Sequence, residues 1–80
     1  MIRGDRIQTK RKALRLTQIE LSQEVGISQA FLSQIEAGRR DVSTSVLVAM
    51  ARTLRTSVDY LLGLEQVEDE EAERVPAMAS

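Results

Sequence analysis

The residues best placed to make specific polar contacts lie between positions 28 and 40. Gln29, Ala30, Ser33 and Gln34 recur at helical spacing, so a helix capped by Ser28 presents all of them on one outward face. A glutamine amide donates and accepts at once, which matches the paired groups on the major-groove edge of adenine. An alanine methyl packs on the methyl of thymine. This face carries no acid before Glu36, so phosphates would not repel it. The plain alternative is that Gln29 and Gln34 are ordinary solvated positions. Phe31, at the margin, has two readings: a shield over the core edge, or a contact to a thymine methyl.

Other chemistries lack their parts. The 80-residue chain has no cysteine and no histidine, which removes disulfides, thiolate metal sites and the commonest general base. No nucleophile–base–orienter set is visible, so an enzyme, a cofactor and a metal are not expected. Glu20 and Glu24 stand at i, i+4, but capping explains Glu20 better. The acidic run EDEE lacks the glycine-containing loop of a calcium site and reads as solvated. No apolar run reaches membrane-spanning length, and the start MIRGDRIQTKRK has no signal-like apolar stretch, so the expected location is cytoplasmic.

These residues must be positioned by helices, and the pattern predicts five. Ile7, Arg11 and Leu14 share a face of the first, over residues 5–15, and Arg11 on that inward face calls for a partner. The second opens with TQIE, a capping box in which the Thr17 hydroxyl and the Glu20 carboxylate satisfy each other's N–H. Leu21 and Val25 point inward, Ser22 is small, and Gly26 reverses the chain. Ser28 caps the third helix, with Ile27 and Leu32 as a hydrophobic staple, and Gly38 ends it. The fourth starts at Ser43, with Val42 and Leu47 as a second staple and an apolar stripe through Leu47, Met50, Ala51 and Leu54. A short fifth helix runs from Ser57 to Gly63. Ile19, Val46 and Val48 are read as incidental apolar neighbours or as a partner surface.

Net charge is -1 over the chain, but the charges are unevenly placed. Residues 1–64 hold ten Lys/Arg against six Asp/Glu, a balance of +4, while residues 65–80 hold Arg74 against six acids, a balance of -5. Such opposite-sign halves point to a nucleic-acid-binding body with an acidic appendage. The expected division is therefore a domain over residues 1–64 and an acidic tail over 65–80, either helical at its start or disordered.

Two short helices around a tight glycine turn, over TQIELSQEVGISQAFLSQIEAGR, have the geometry of a DNA-binding helix-turn-helix. The wider pattern resembles the Cro/repressor (XRE) family: LTQ at 16–18, EL at 20–21, GIS at 26–28, LSQIE at 32–36, GRR at 38–40 and YLLG at 60–63. That resemblance implies an all-α, compact five-helix domain of the lambda-repressor-like type, in a prokaryotic or phage-encoded regulator. It implies base contacts from Gln29, Ala30, Ser33 and Gln34, and phosphate contacts from Gln18, Ser28, Arg39 and Arg40. It further implies that Arg11 pairs with Glu36, which would answer the buried arginine. Two positions depart from the family: Val42, where proline is frequent, and Arg55, where glycine is frequent.

The implied function is sequence-specific binding of double-stranded DNA to regulate transcription, as a homodimer on a palindromic or pseudo-palindromic operator. Val58, Leu61, Leu62 and Leu64 form the candidate dimer interface, since a small core cannot enclose all four. The alternative is an antitoxin or restriction–modification controller with the same fold, whose protein partner engages the acidic tail.

Overall fold

The computed structural model describes residues 1–64; the expected acidic tail, and any partner site on it, lies outside them. The elements in order are α1 Gly4–Ala13, α2 Gln18–Val25, α3 Gln29–Glu36, α4 Thr44–Thr53 and α5 Val58–Leu62. Among the described residues there is no strand, and the all-α five-helix arrangement expected from the sequence is the one observed. No helix of the described residues is long and apolar enough to cross a membrane.

The longest helices have ten residues, short of the roughly 12–15 that an isolated helix needs in water. Each therefore depends on its ends and its packing. Thr17, Ser28, Ser43 and Ser57 cap α2 to α5, each accepting from the backbone N–H three residues on; a cap of this kind contributes about 1 kcal/mol. α1 has no side-chain cap. The Arg3 carbonyl instead accepts from Arg6 and Ile7 N–H at 3.1 and 3.2 Å.

All five helices close the same way. The N–H groups of Leu16, Ile27, Arg39, Thr56 and Leu64 each donate to the carbonyl five residues back, at 2.9–3.0 Å. The residue before each of these is left-handed: Arg15 at φ 60°, Gly26 and Gly38 at 78°, Arg55 at 56° and Gly63 at 76°. This is the Schellman closure. It also explains why α1 stops at Ala13 although its apolar spacing runs further: Arg15 has already turned.

The core takes Ile7 from α1, Leu21 from α2, Leu32 and Ile35 from α3, Met50 from α4 and Leu54 at its end, and Leu61 from α5, all fully buried. Removing such a side chain from water contributes about 1.5–3 kcal/mol as an upper bound. α1 packs on α3 and α5, α2 on α3 and α4, and α4 on α5, so every helix has at least one partner. Phe31, Leu47 and Val46 are half-buried against this cluster. Leu61 has no exposed surface at all. Expected at a dimer interface, it is instead a core residue, because the phase of α5 places it in the buried cluster with Ile7, Met50 and Leu54; its carbonyl accepts from Arg3 N–H at 2.7 Å.

The N-terminal residues contribute more than their sequence advertises. Ile2 is buried at 3% exposure beside the core helices. Gly4 lies against the end of α3, where a Cβ would collide with the Ile35 and Glu36 carbonyl oxygens. These are backbone atoms that cannot swing aside, so this glycine is required for space and not for its dihedral angles. Gly4→Ala should therefore lose about 1–3 kcal/mol by overpacking, read as a lower urea midpoint at unchanged m-value. An unaltered midpoint would show that α1 and α3 can separate freely.

Candidate nucleic-acid interface

α2 and α3 form the unit on which the candidate contacts stand. At its start, Thr17 N–H donates to Glu20 Oε1 at 2.9 Å, and Glu20 N–H donates to Thr17 Oγ1 at 3.0 Å. The Thr17 backbone N–H is the main reason the Glu20 carboxyl is held below its ordinary range. Ser22 is buried and turns its hydroxyl onto the Ile19 carbonyl at 2.8 Å, so it leaves no bare polar atom where α2 is enclosed. Gly26 then supplies the turn. Nothing lies within 4 Å of its notional Cβ, so the positive φ alone explains the glycine.

α3 is fixed in phase by Leu32 and Ile35, both fully buried. Gln29, Ala30, Ser33 and Gln34 are consequently all exposed on the far side. Among the described residues no hydrogen bond engages the side chains of Gln29, Ser33 or Gln34, so their donors and acceptors are open to an external partner. Ser28 is committed as the cap, its Oγ accepting from Phe31 N–H at 3.0 Å. Arg39 and Arg40 follow α3 and are exposed. Ile19 is exposed beside the start of α2, at 51%.

Behind this face lies a buried ion pair. Arg11 Nε donates to Glu36 Oε2 at 2.7 Å and Nη2 to Glu36 Oε1 at 3.0 Å, with side-chain exposures of 10% and 4%. Arg11 Nη1 donates to the Leu16 carbonyl at 2.9 Å. Gln18 joins the same cluster, its Nε2 donating to Glu36 Oε1 at 3.1 Å. Half of the Gln18 amide donor capacity is thus spent inside the protein. The main-chain N–H groups of Gln18 and Ile19, at the α2 start, have no main-chain acceptor among the described residues.

The loop after α3 holds a residue that sequence reasoning passed over. Asp41 Oδ1 accepts from Val42 N–H at 2.9 Å and from Ile2 N–H at 3.1 Å. These two backbone bonds, Ile2 first, hold its carboxyl below the ordinary carboxylate value. They also account for the departure at Val42, since proline there would have no N–H to give. An aspartate followed by a helix cap was the only local sign. Its partner stands 39 residues away in sequence. Among the described residues no group of His, Cys, Asp and Glu could hold a metal ion.

Residues 7–61 match the helix-turn-helix family, and the chain belongs to it. The immunity repressor protein of Bacillus phage phi105 is 37% identical over 71 residues, covering 88% of this chain and 49% of that protein. The crystal structure of the P22 c2 repressor with a synthetic operator superposes at a TM-score of 0.75 and 34% identity, over 80% of this chain and 97% of that one. The restriction–modification controller protein C.AhdI from Aeromonas hydrophila gives a TM-score of 0.68 at 28% identity, over 72% and 88%. The chain spans about half the length of the phi105 repressor.

The buried pair generates a prediction. Arg11→Ala or Glu36→Ala leaves a charge without its partner in a dry site, at a cost of about 3–5 kcal/mol when burial is complete. Thermal melts of both single variants and the double variant should show strong coupling. Additive losses would mean that the two side chains act independently.

Proposed function

We propose that the chain is a sequence-specific regulator that binds double-stranded DNA with α3 in the major groove, as a homodimer on a two-fold-related operator. The observation that carries this reading is the exposed face of α3: four short side chains, unengaged within the described residues, on a helix whose opposite face is locked into the core. Gln29 and Gln34 pair with base edges, Ala30 and Ser33 permit close approach, and Arg39 and Arg40 meet phosphates. The N-terminal turn of α2, with Gln18, and the Ser28 hydroxyl add neutral phosphate contacts. The operator-bound P22 c2 repressor, similar in fold and sequence, supports the assignment.

A module with so few base contacts binds weakly alone, and a second copy reading a half-site one helical turn away restores affinity. Half-buried Val58 and Leu62, with Leu64 at 46% exposure, are the apolar side chains left for that contact once Leu61 is assigned to the core. A second reading, as a restriction–modification controller, is favoured by the likeness to C.AhdI and uses the same face of α3.

Selecting bound duplexes from a random pool tests the reading directly, since a two-fold-symmetric product fixes dimer and specificity together. Against that product, Gln29→Ala and Gln34→Ala should each lose about 1–3 kcal/mol while binding to random duplex stays nearly constant. Arg39→Ala should weaken both alike and flatten the salt dependence. Glutamine variants that keep parental affinity for the selected site would remove α3 as the reader.

The α5 residues separate under a different measurement. Leu62→Asp should give a folded protein that sediments as a monomer and binds the operator weakly. Leu61→Asp should lose the helical circular dichroism signal, because a carboxylate in a sealed apolar site has no partner. A Leu62→Asp variant that stays dimeric would place the interface elsewhere.

A further inference from the structure

Asp41 is an acid set next to Arg39 and Arg40, the two cations proposed to meet phosphate. On charge alone it opposes the loop's task, so its place there needs another reason. No main-chain N–H or carbonyl of residues 40–42 reaches a main-chain partner among the described residues. The loop is held upstream by Arg39 N–H on the Gln34 carbonyl at 2.9 Å and downstream by the Ser43 cap of α4. Between those points its hydrogen-bonded attachment is the Asp41 carboxylate, which takes Val42 N–H at 2.9 Å and Ile2 N–H at 3.1 Å. The Ile2 end is itself anchored: its side chain is buried at 3% exposure, and the next N–H, that of Arg3, is bonded to Leu61 at 2.7 Å.

We infer that Asp41 is a positioning residue for DNA binding, fastening the loop that carries Arg39 and Arg40 to the core-anchored residues ahead of α1. This rests on the reading that those arginines contact phosphate. The attachment limits where the two guanidinium groups can travel relative to the end of α3. A loop fixed before binding has less freedom to lose when it meets the DNA.

The test exploits opposite signs. Removing an acid from a phosphate-facing loop strengthens non-specific binding by charge, whereas removing a positioning acceptor weakens it. Binding of the full chain to a random duplex is measured by fluorescence anisotropy across a salt series, for the parent, Asp41→Ala, Asp41→Asn and the Arg39→Ala/Arg40→Ala double variant. Each lost phosphate contact should lower the slope of log K against log salt by about 0.9. The double variant sets the scale. Asp41→Ala is expected to move the slope in the same direction despite its more favourable charge. Asp41→Asn, whose amide oxygen still accepts both N–H bonds, is expected to return it to the parental value. Circular dichroism melts establish that each variant is folded at the assay temperature, as the exposure of Asp41 predicts. A parental or steeper slope for Asp41→Ala overturns the inference, and so does identical behaviour of the alanine and asparagine variants. A parental slope in the arginine double variant removes the phosphate assignment itself. A shallower slope there, with Asp41→Ala unchanged, removes the positioning role alone.

Discussion

A guanidinium held out of water has to be answered on every donor, and Arg11 answers that demand by drawing pieces of structure together. Its partners are Glu36 at the last turn of α3 and the Leu16 carbonyl in the turn before α2, and Glu36 in turn receives Gln18 at the first turn of α2. Among the described residues no buried side-chain nitrogen or oxygen lacks a partner. The arrangement is directional in a way that apolar packing is not. Leu21, Leu32 and Ile35 would tolerate a small slide of α3 along α2, but two parallel N–H···O bonds to one carboxylate would not. Whether such a pair adds net stability over an apolar substitute is a separate question. Its effect on geometry is clear: the end of α3 is registered against both α1 and α2.

That registration matters because α3 is short. With eight residues, its direction is set by what it touches at each end. Ser28 fixes the entry and Glu36 the exit, while Gly4 lets α1 approach the final carbonyls without a side chain between. The outward face then needs no structural duties. Small or uncharged side chains can occupy it, which suits contact with bases that differ by single donors, acceptors and methyl groups.

Much of this was legible in the sequence because its determinants are local. Thr17, Ser28, Ser43 and Ser57 announce helix starts through chemistry contained within three residues, and the glycines at 26 and 38 announce ends for the same reason. The Arg11–Glu36 pairing was reachable through family resemblance, and the inward position of Arg11 on its helix gave an independent reason to seek a partner. What escaped depends on distant neighbours. Ile2 precedes any helical repeat, so no periodicity marks it as core. Gly4 looks like an unremarkable glycine until the carbonyls of α3 are placed beside it. In α5, a five-residue helix is too short for apolar spacing to define a phase, so Leu61 and Leu62 could not be told apart. The bond from Gln18 to Glu36 escaped because its acceptor lies 18 residues on.

The two left-handed arginines show where the fold accepts strain. A non-glycine residue at positive φ costs roughly 1–2 kcal/mol, and the same Schellman closure is made with glycine at the ends of α2, α3 and α5. Arg15 and Arg55 close α1 and α4 instead, which are the two longest helices. Longer helices bring more backbone bonds and more buried side chains to offset a strained last turn. The turn between α2 and α3 has no such reserve, because each helix there has eight residues and the crossing itself sets the aim of α3. Gly26 leaves that turn unstrained, so the angle between the two helices is decided by their packing and by the Glu36 cluster. Substituting glycine for arginine at position 55 would bring the chain towards its family at a site remote in sequence from the α3 face, relieving strain but also freeing the unfolded chain. The net effect on stability is therefore smaller than the strain suggests.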